Sequence, residues 1–258
     1  NTITLSAAAT AAGTTALTSS KSDVGQINMN TLILNGAQAD SKITLSNPLD
    51  LNGAGRTIRV DANVAELAGE LQNTGVGTAI LTKNNAGNLL VNGGISGSIG
   101  FTLNGGTTSL ADGFSYTYNG ANTINGGSFL VKKNDGLGTT AAGTTSSGAQ
   151  NQGSVLFDAT NGDLSIAEGF TLNMRASLVA NNFSSMKPAL NNIAGNTALT
   201  GLINGTTGGA VSKIACDGGT LTIAGTNSWT GATLVSEGRL NVTGTLTSAV
   251  TVADGAIL

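Results

Sequence analysis

Apolar residues recur two positions apart along almost the whole chain, and each pair is bounded by Gly, Asn or Asp. The pairs are Ile3/Leu5, Leu32/Leu34, Ile43/Leu45, Ile58/Val60, Leu89/Val91, Phe101/Leu103, Phe129/Val131, Val155/Phe157, Leu164/Ile166, Leu221/Ile223, Leu240/Val242 and Val250/Val252. A period of two puts both apolar side chains on one face and a polar or small residue on the other, as in a strand with one side buried. The intervals between pairs are too short for helical crossovers. The pattern predicts an all-β chain, built either as a solenoid or as a sandwich or barrel. The segment 134–152 is expected to be a polar loop thrown out from the stack. Within 184–195, Met186, Leu190 and Ile193 follow helical spacing, with Pro188 in a tolerated early position, so a short helix is one expectation there.

A long internal repeat favours the solenoid. Residues 219–242 hold three short alternating strands, with Trp229 between the first two. A weaker copy lies 111 residues upstream: Tyr118-Asn119-Gly120-Ala121 matches Trp229-Thr230-Gly231-Ala232, and Ile124 matches Val235. In the same copy Gly127-Ser128-Phe129-Leu130-Val131 matches Gly238-Arg239-Leu240-Asn241-Val242. A partial third copy sets 87–93 against 219–225. Turns of roughly 20–25 residues would stack at about 4.8 Å, giving roughly ten to twelve turns and a rod about 50 Å long.

The stretch 219–242 resembles the autotransporter-associated β-strand repeat of large bacterial surface and secreted proteins. The residues carrying the resemblance are Leu221, Ile223, Gly225, Asn227, Trp229, Thr230, Gly231, Thr233, Val235, Gly238, Leu240 and Val242. Upstream, Leu67-Ala-Gly69, Gly75, Gly77, Leu81-Thr82-Lys83, Gly87 and Leu89 resemble the family's lead-in. The resemblance covers about half the chain; the first sixty residues or so and 175–209 depart from it. It implies a right-handed parallel β-helix, exported and displayed outside the cell. The chain is expected to be one β-helical domain over 1–258, cut at both ends, with an irregular insertion over 174–209.

Composition narrows the function. Charged residues are 10% of the chain and Pro only 2 residues, against 38 Gly, so turns come from Gly and Asn and the surface from Thr, Ser and Asn. Net charge is −3, and Lys132-Lys133 is the only adjacent basic pair, so the basic stripe of a nucleic-acid binder is missing. No apolar run approaches the roughly 20 residues of a membrane-spanning helix, which leaves no expectation of membrane insertion by this segment. The lone Cys216 allows no internal disulfide, and such a cysteine-poor chain fits export.

There is no histidine, which removes Ser–His–Asp and Cys–His sites and almost every zinc site. Cys216 has only Lys213 as a nearby base and reads as a buried small residue. The closest acidic spacings are Asp158/Asp163 and Glu66/Glu70; Asp158 and Asp163 bracket a turn and read first as turn residues. Asp158, Asn161 and Asp163 could offer oxygens to calcium, without the spacing of a dedicated calcium roll. Trp229, Tyr116 and Tyr118 could stack on sugars, but read first as aromatics over corners of the coil. No catalytic, cofactor or metal residue is assigned.

The expected function is a non-enzymatic structural module: stalk, adhesin or filament subunit, associating through its ends, with host or matrix glycans as candidate partners. The rival is a polysaccharide-active β-helix enzyme, which needs Asp158, Asp163 and Glu168 gathered in a cleft with a basic partner.

Overall fold

The computed structural model describes residues 2–5, 15–17, 25–26, 31–141, 143–147, 153–173, 187–205, 211–228 and 232–258. Among them every strand pair is parallel, and the chain winds as a right-handed β-solenoid. One turn consists of Thr31–Leu34, Ile43–Leu45 and Leu49–Asp50. Arg56–Arg59, Val64–Leu67 and Leu71–Gln72 lie on it in register, with Thr31 paired to Thr57, Ile43 to Ala65 and Leu49 to Leu71. About seven turns have three separate strands in this way, fewer than the ten to twelve expected. In mid-stack, Ile99–Leu110 and Asn122–Val131 each run the first and second sides as one long strand, and neither of these coils has a strand on the third side. Spacing of apolar pairs cannot distinguish a strand that ends at a corner from one that bends through it.

Alternation fixes which side chains point inward. On the first side, Leu32, Ile58, Lys83, Leu103, Ile124, Ser146 and Leu172 stack as successive buried rungs. On the second, Leu89, Thr108, Phe129, Val155, Leu190, Ile214 and Val235 do the same. Edge-to-face aromatics join the sides, with Phe101 5.8 Å from Phe129 and Phe157 6.1 Å from Phe170.

Two expectations about irregular segments are corrected. Leu190–Ala194 is a strand, paired below with Gly153–Asp158 and above with Val211–Cys216. Backbone pairing on both edges outweighs the helical spacing of Leu190 and Ile193; Met186 lies outside the described residues. With Asn196–Leu199 and Ile203–Gly205 it turns the later part of 174–209 into ordinary coil. Likewise Thr144–Ser147, inside the expected loop 134–152, is a strand between Asn122–Val131 and Phe170–Asn173.

Corners require special backbone. Gly219 has φ of 72°, and a Cβ there would lie 1.8 Å from the Gly195 carbonyl oxygen one coil below. Gly238 has φ of 64°, and its Cβ would come 1.7 Å from the Cys216 carbonyl oxygen. Both positions therefore demand glycine. Lys83, fully buried, turns its ammonium into a corner and donates to the carbonyls of Asn85, Gly87 and Gly105. Asn227 links three coils: its amide donates to Gly225 O (3.0 Å) and Thr245 O (2.8 Å), and its Oδ1 accepts from Ile203 N (3.2 Å).

Two outcomes follow for denaturant unfolding. Gly219→Ala should destabilise by more than about 2 kcal/mol, while Gly113→Ala, with open space around the new methyl, stays within about 0.5 kcal/mol. Lys83→Met leaves three carbonyls without their donor and should cost roughly 3 kcal/mol, even though burial lowers the lysine's own pKa to about 8.

Candidate functional site

Regular pairing on the third side stops at Ile95–Ser96 and resumes at Leu164–Ile166. Across this gap the chain folds into irregular corners, and Tyr116, Tyr118 and Leu137 fill the core behind them. Tyr118 packs edge-on against Phe101 at 5.3 Å. The tyrosine hydroxyls are used internally, Tyr116 donating to Ala111 O at 2.6 Å and Tyr118 to Asn122 Oδ1 at 3.3 Å. Neither ring is available to stack on a sugar. Trp229 lies outside the described residues.

In front of the gap opens a lateral cleft of about 520 Å³, lined among others by Asp112, Ser115, Lys132, Asp135, Asn161 and Asp163. The side chains come from corners of three consecutive coils. Asn161 donates to Asp112 Oδ2 at 3.1 Å, joining the outer two corners across the middle one. Asn134 Oδ1 accepts from Ser165 N at 2.8 Å and so caps the edge of the resuming third-side sheet. Asp135 Oδ2 accepts from Tyr116 N at 3.0 Å, and Asp163 Oδ1 from Asn196 Nδ2 at 3.2 Å. The two lysines are turned to other partners. Lys132 lies 3.7 Å from Asp158, and Lys133 donates to Phe114 O at 2.5 Å. The cleft thus offers carboxylates and amides as hydrogen-bonding groups, with no ion pair between its own members among the described salt bridges.

Of the acidic residues singled out from the sequence, only Asp163 reaches this cleft. Asp158 closes its own turn by accepting from Thr160 N and Oγ1 at 3.2 and 2.5 Å. The Thr160 hydroxyl, with Lys132 nearby, holds its carboxyl below the usual range. The Asn161 amide nitrogen is turned to Asp112. Glu168 is buried in the core, 3% exposed. Glu66 and Glu70 lie on either side of a corner. Burial pushes the Glu66 carboxyl up, but Lys42 at 2.5 Å, Asn92 at 2.6 Å and Thr44 together bring it below its ordinary value. Asp112 and Asp135 were not legible as site residues. The available signal was the run Lys132-Lys133-Asn134-Asp135, polar where a third-side strand would be alternating.

Cys216 faces inward beside Leu221, while Lys213 on the same strand faces the opposite way, so the lysine cannot activate it. Burial pushes the thiol above its ordinary value. No protein-family model, curated protein or solved structure matches the chain.

Cys216 should react with a thiol-specific disulfide reagent roughly 100-fold more slowly in the native protein than in denaturant, followed by absorbance at neutral pH. Equal rates would place the thiol outside the core.

Proposed function

We propose that this chain is a non-enzymatic β-solenoid module of an exported bacterial surface or secreted protein of the autotransporter-repeat kind, serving as a stalk or display scaffold. The observation that supports it most is the work done by the repeat residues. Gly219 and Gly238 occupy corners closed to other residues, Asn227 staples three coils, and Leu221, Ile223, Val235 and Leu240 are buried rungs. The lead-in Lys83 closes a corner in the same way. These residues build coil on coil and leave no reactive group behind.

A second reading, a polysaccharide-active enzyme, draws support from the meeting of Asp112, Asp135 and Asp163 in one cleft. Carboxyl pairs about 5–9.5 Å apart across such a recess are the requirement for glycoside hydrolysis. The same cleft would be the place for host or matrix glycans to bind without cleavage.

Negative-stain electron microscopy of the purified chain should show rods roughly 40 Å long, single or joined end to end. Globular particles would overturn the module reading. Release of reducing ends from a polysaccharide panel, abolished in Asp112→Asn and Asp163→Asn, would replace it with the enzyme.

A further inference from the structure

One inward row of the first side runs Leu81, Phe101, Asn122, Thr144, Phe170 and Ile203. Two consecutive rungs of an otherwise apolar row are polar, and both are buried. The Asn122 amide donates to Leu137 O at 2.9 Å and to Thr144 Oγ1 at 3.1 Å. Thr144 passes its single hydroxyl hydrogen to Glu168 Oε1 at 2.7 Å. The chain of bonds ends there, because Glu168 Oε2 is buried and has no hydrogen-bond partner.

A carboxylate in this position would hold its charge in an apolar interior with few donors, so the neutral acid is the favoured form. The surrounding groups do not alter this. Tyr118 faces it from the 111–121 corner, and Tyr116 and Asp135 lie about Tyr118 in turn. Lys132 and Lys133 of that corner turn instead to Asp158 and Phe114 O. The strands Asn122–Val131 and Thr144–Ser147 present Asn122 and Thr144, and residues 196–203 of the next coil carry no charge. Burial accordingly raises the Glu168 carboxyl to about 8, against the lowering effect of Thr144 and Asn122.

The same ladder holds the floor of the cleft. Residues 132–141 have no third-side strand to pair with among the described residues. They are held to the core by Asn122 at Leu137 O, by Tyr118 Oη at Gly136 O (3.4 Å) and by Thr139 N at Tyr118 O (2.8 Å). Lys132 and Asp135 of this stretch line the cleft. We propose that Glu168 is a proton lock on this corner: with its proton on, the ladder from Tyr118 to Glu168 keeps the cleft floor seated. With the proton lost to solvent, the buried charge drives the corner open. A folded-state pKa raised from 4.5 to about 8 gives stability that is fully present below about 4.5 and is lost as pH rises through about 8.

Hydrogen exchange of the 136–139 amides, corrected for intrinsic exchange, tests the lock. In the wild type the opening constant should rise about tenfold per pH unit between about 4.5 and about 8 and level off above that, whereas Glu168→Gln, a neutral isostere, should show no such rise. A second measurement needs no variant. With ¹³C-labelled glutamate, one side-chain carboxyl should still be protonated at neutral pH and titrate near 8. Matching exchange in the two proteins, or glutamates all ionised at neutral pH, would overturn the lock. Rods seen by microscopy in either protein keep that failure separate from failure of the module reading.

Discussion

Everything in this molecule depends on parallel backbone pairing of each coil with the one beneath it. Once Ile43 sits on Ala65 and Leu49 on Leu71, the register of every other strand is constrained, because a slip of one residue would turn a whole apolar row out to water. Coil spacing near 4.8 Å also brings corners into backbone contact. That contact is why Gly219 and Gly238 cannot carry a side chain. Stacking, more than local propensity, selects the residues at the bends.

A continuous stack leaves corner carbonyls facing inward with no strand partner, and these have to be satisfied from within. Lys83, Asn122, Asn192 and Asn227 do this, each reaching carbonyls of its own and neighbouring corners. Asn192, for example, donates to Gly195 O and Gly218 O while its Oδ1 accepts from Thr197. Such groups are favourable in the core only because their acceptors are placed for them. Glu168 differs, since one of its oxygens meets no donor. It is one of the points, with Thr108 Oγ1 and Asp135 Oδ1 among the others, where the internal polar network is left incomplete, and it lies behind the one break in third-side pairing seen among the described residues.

That break carries most of what is chemically distinctive here. Where the third side is regular, outward positions stack coil on coil, as Ser165, Ala198, Thr222 and Asn241 do. Where it lapses, Tyr116 and Tyr118 take over filling the core, and corners from three coils stand apart far enough to form a cleft. Irregularity in a repetitive fold concentrates polar groups that the regular turns have no room for.

The sequence by itself determined most of the strands and the direction they face. Period-two alternation at Leu89/Val91, Phe129/Val131 and Leu221/Ile223 corresponds to buried rungs, and the Gly residues of the repeat correspond to corners. It did not determine which side of the coil each unit occupies. The self-similar segments 87–93 and 219–225 fall on different sides, Asn88–Val91 on the second and Thr220–Ile223 on the third. A strand-and-corner unit has the same local requirements on any side, so its pattern carries no coil position. Only tertiary pairing decided that Leu190–Ala194 is a strand, that Lys83 points into a corner, and that Asp112 meets Asn161 across 49 residues. Those outcomes depend on what lies one coil above and below, and a residue's immediate neighbours in the chain hold no record of it.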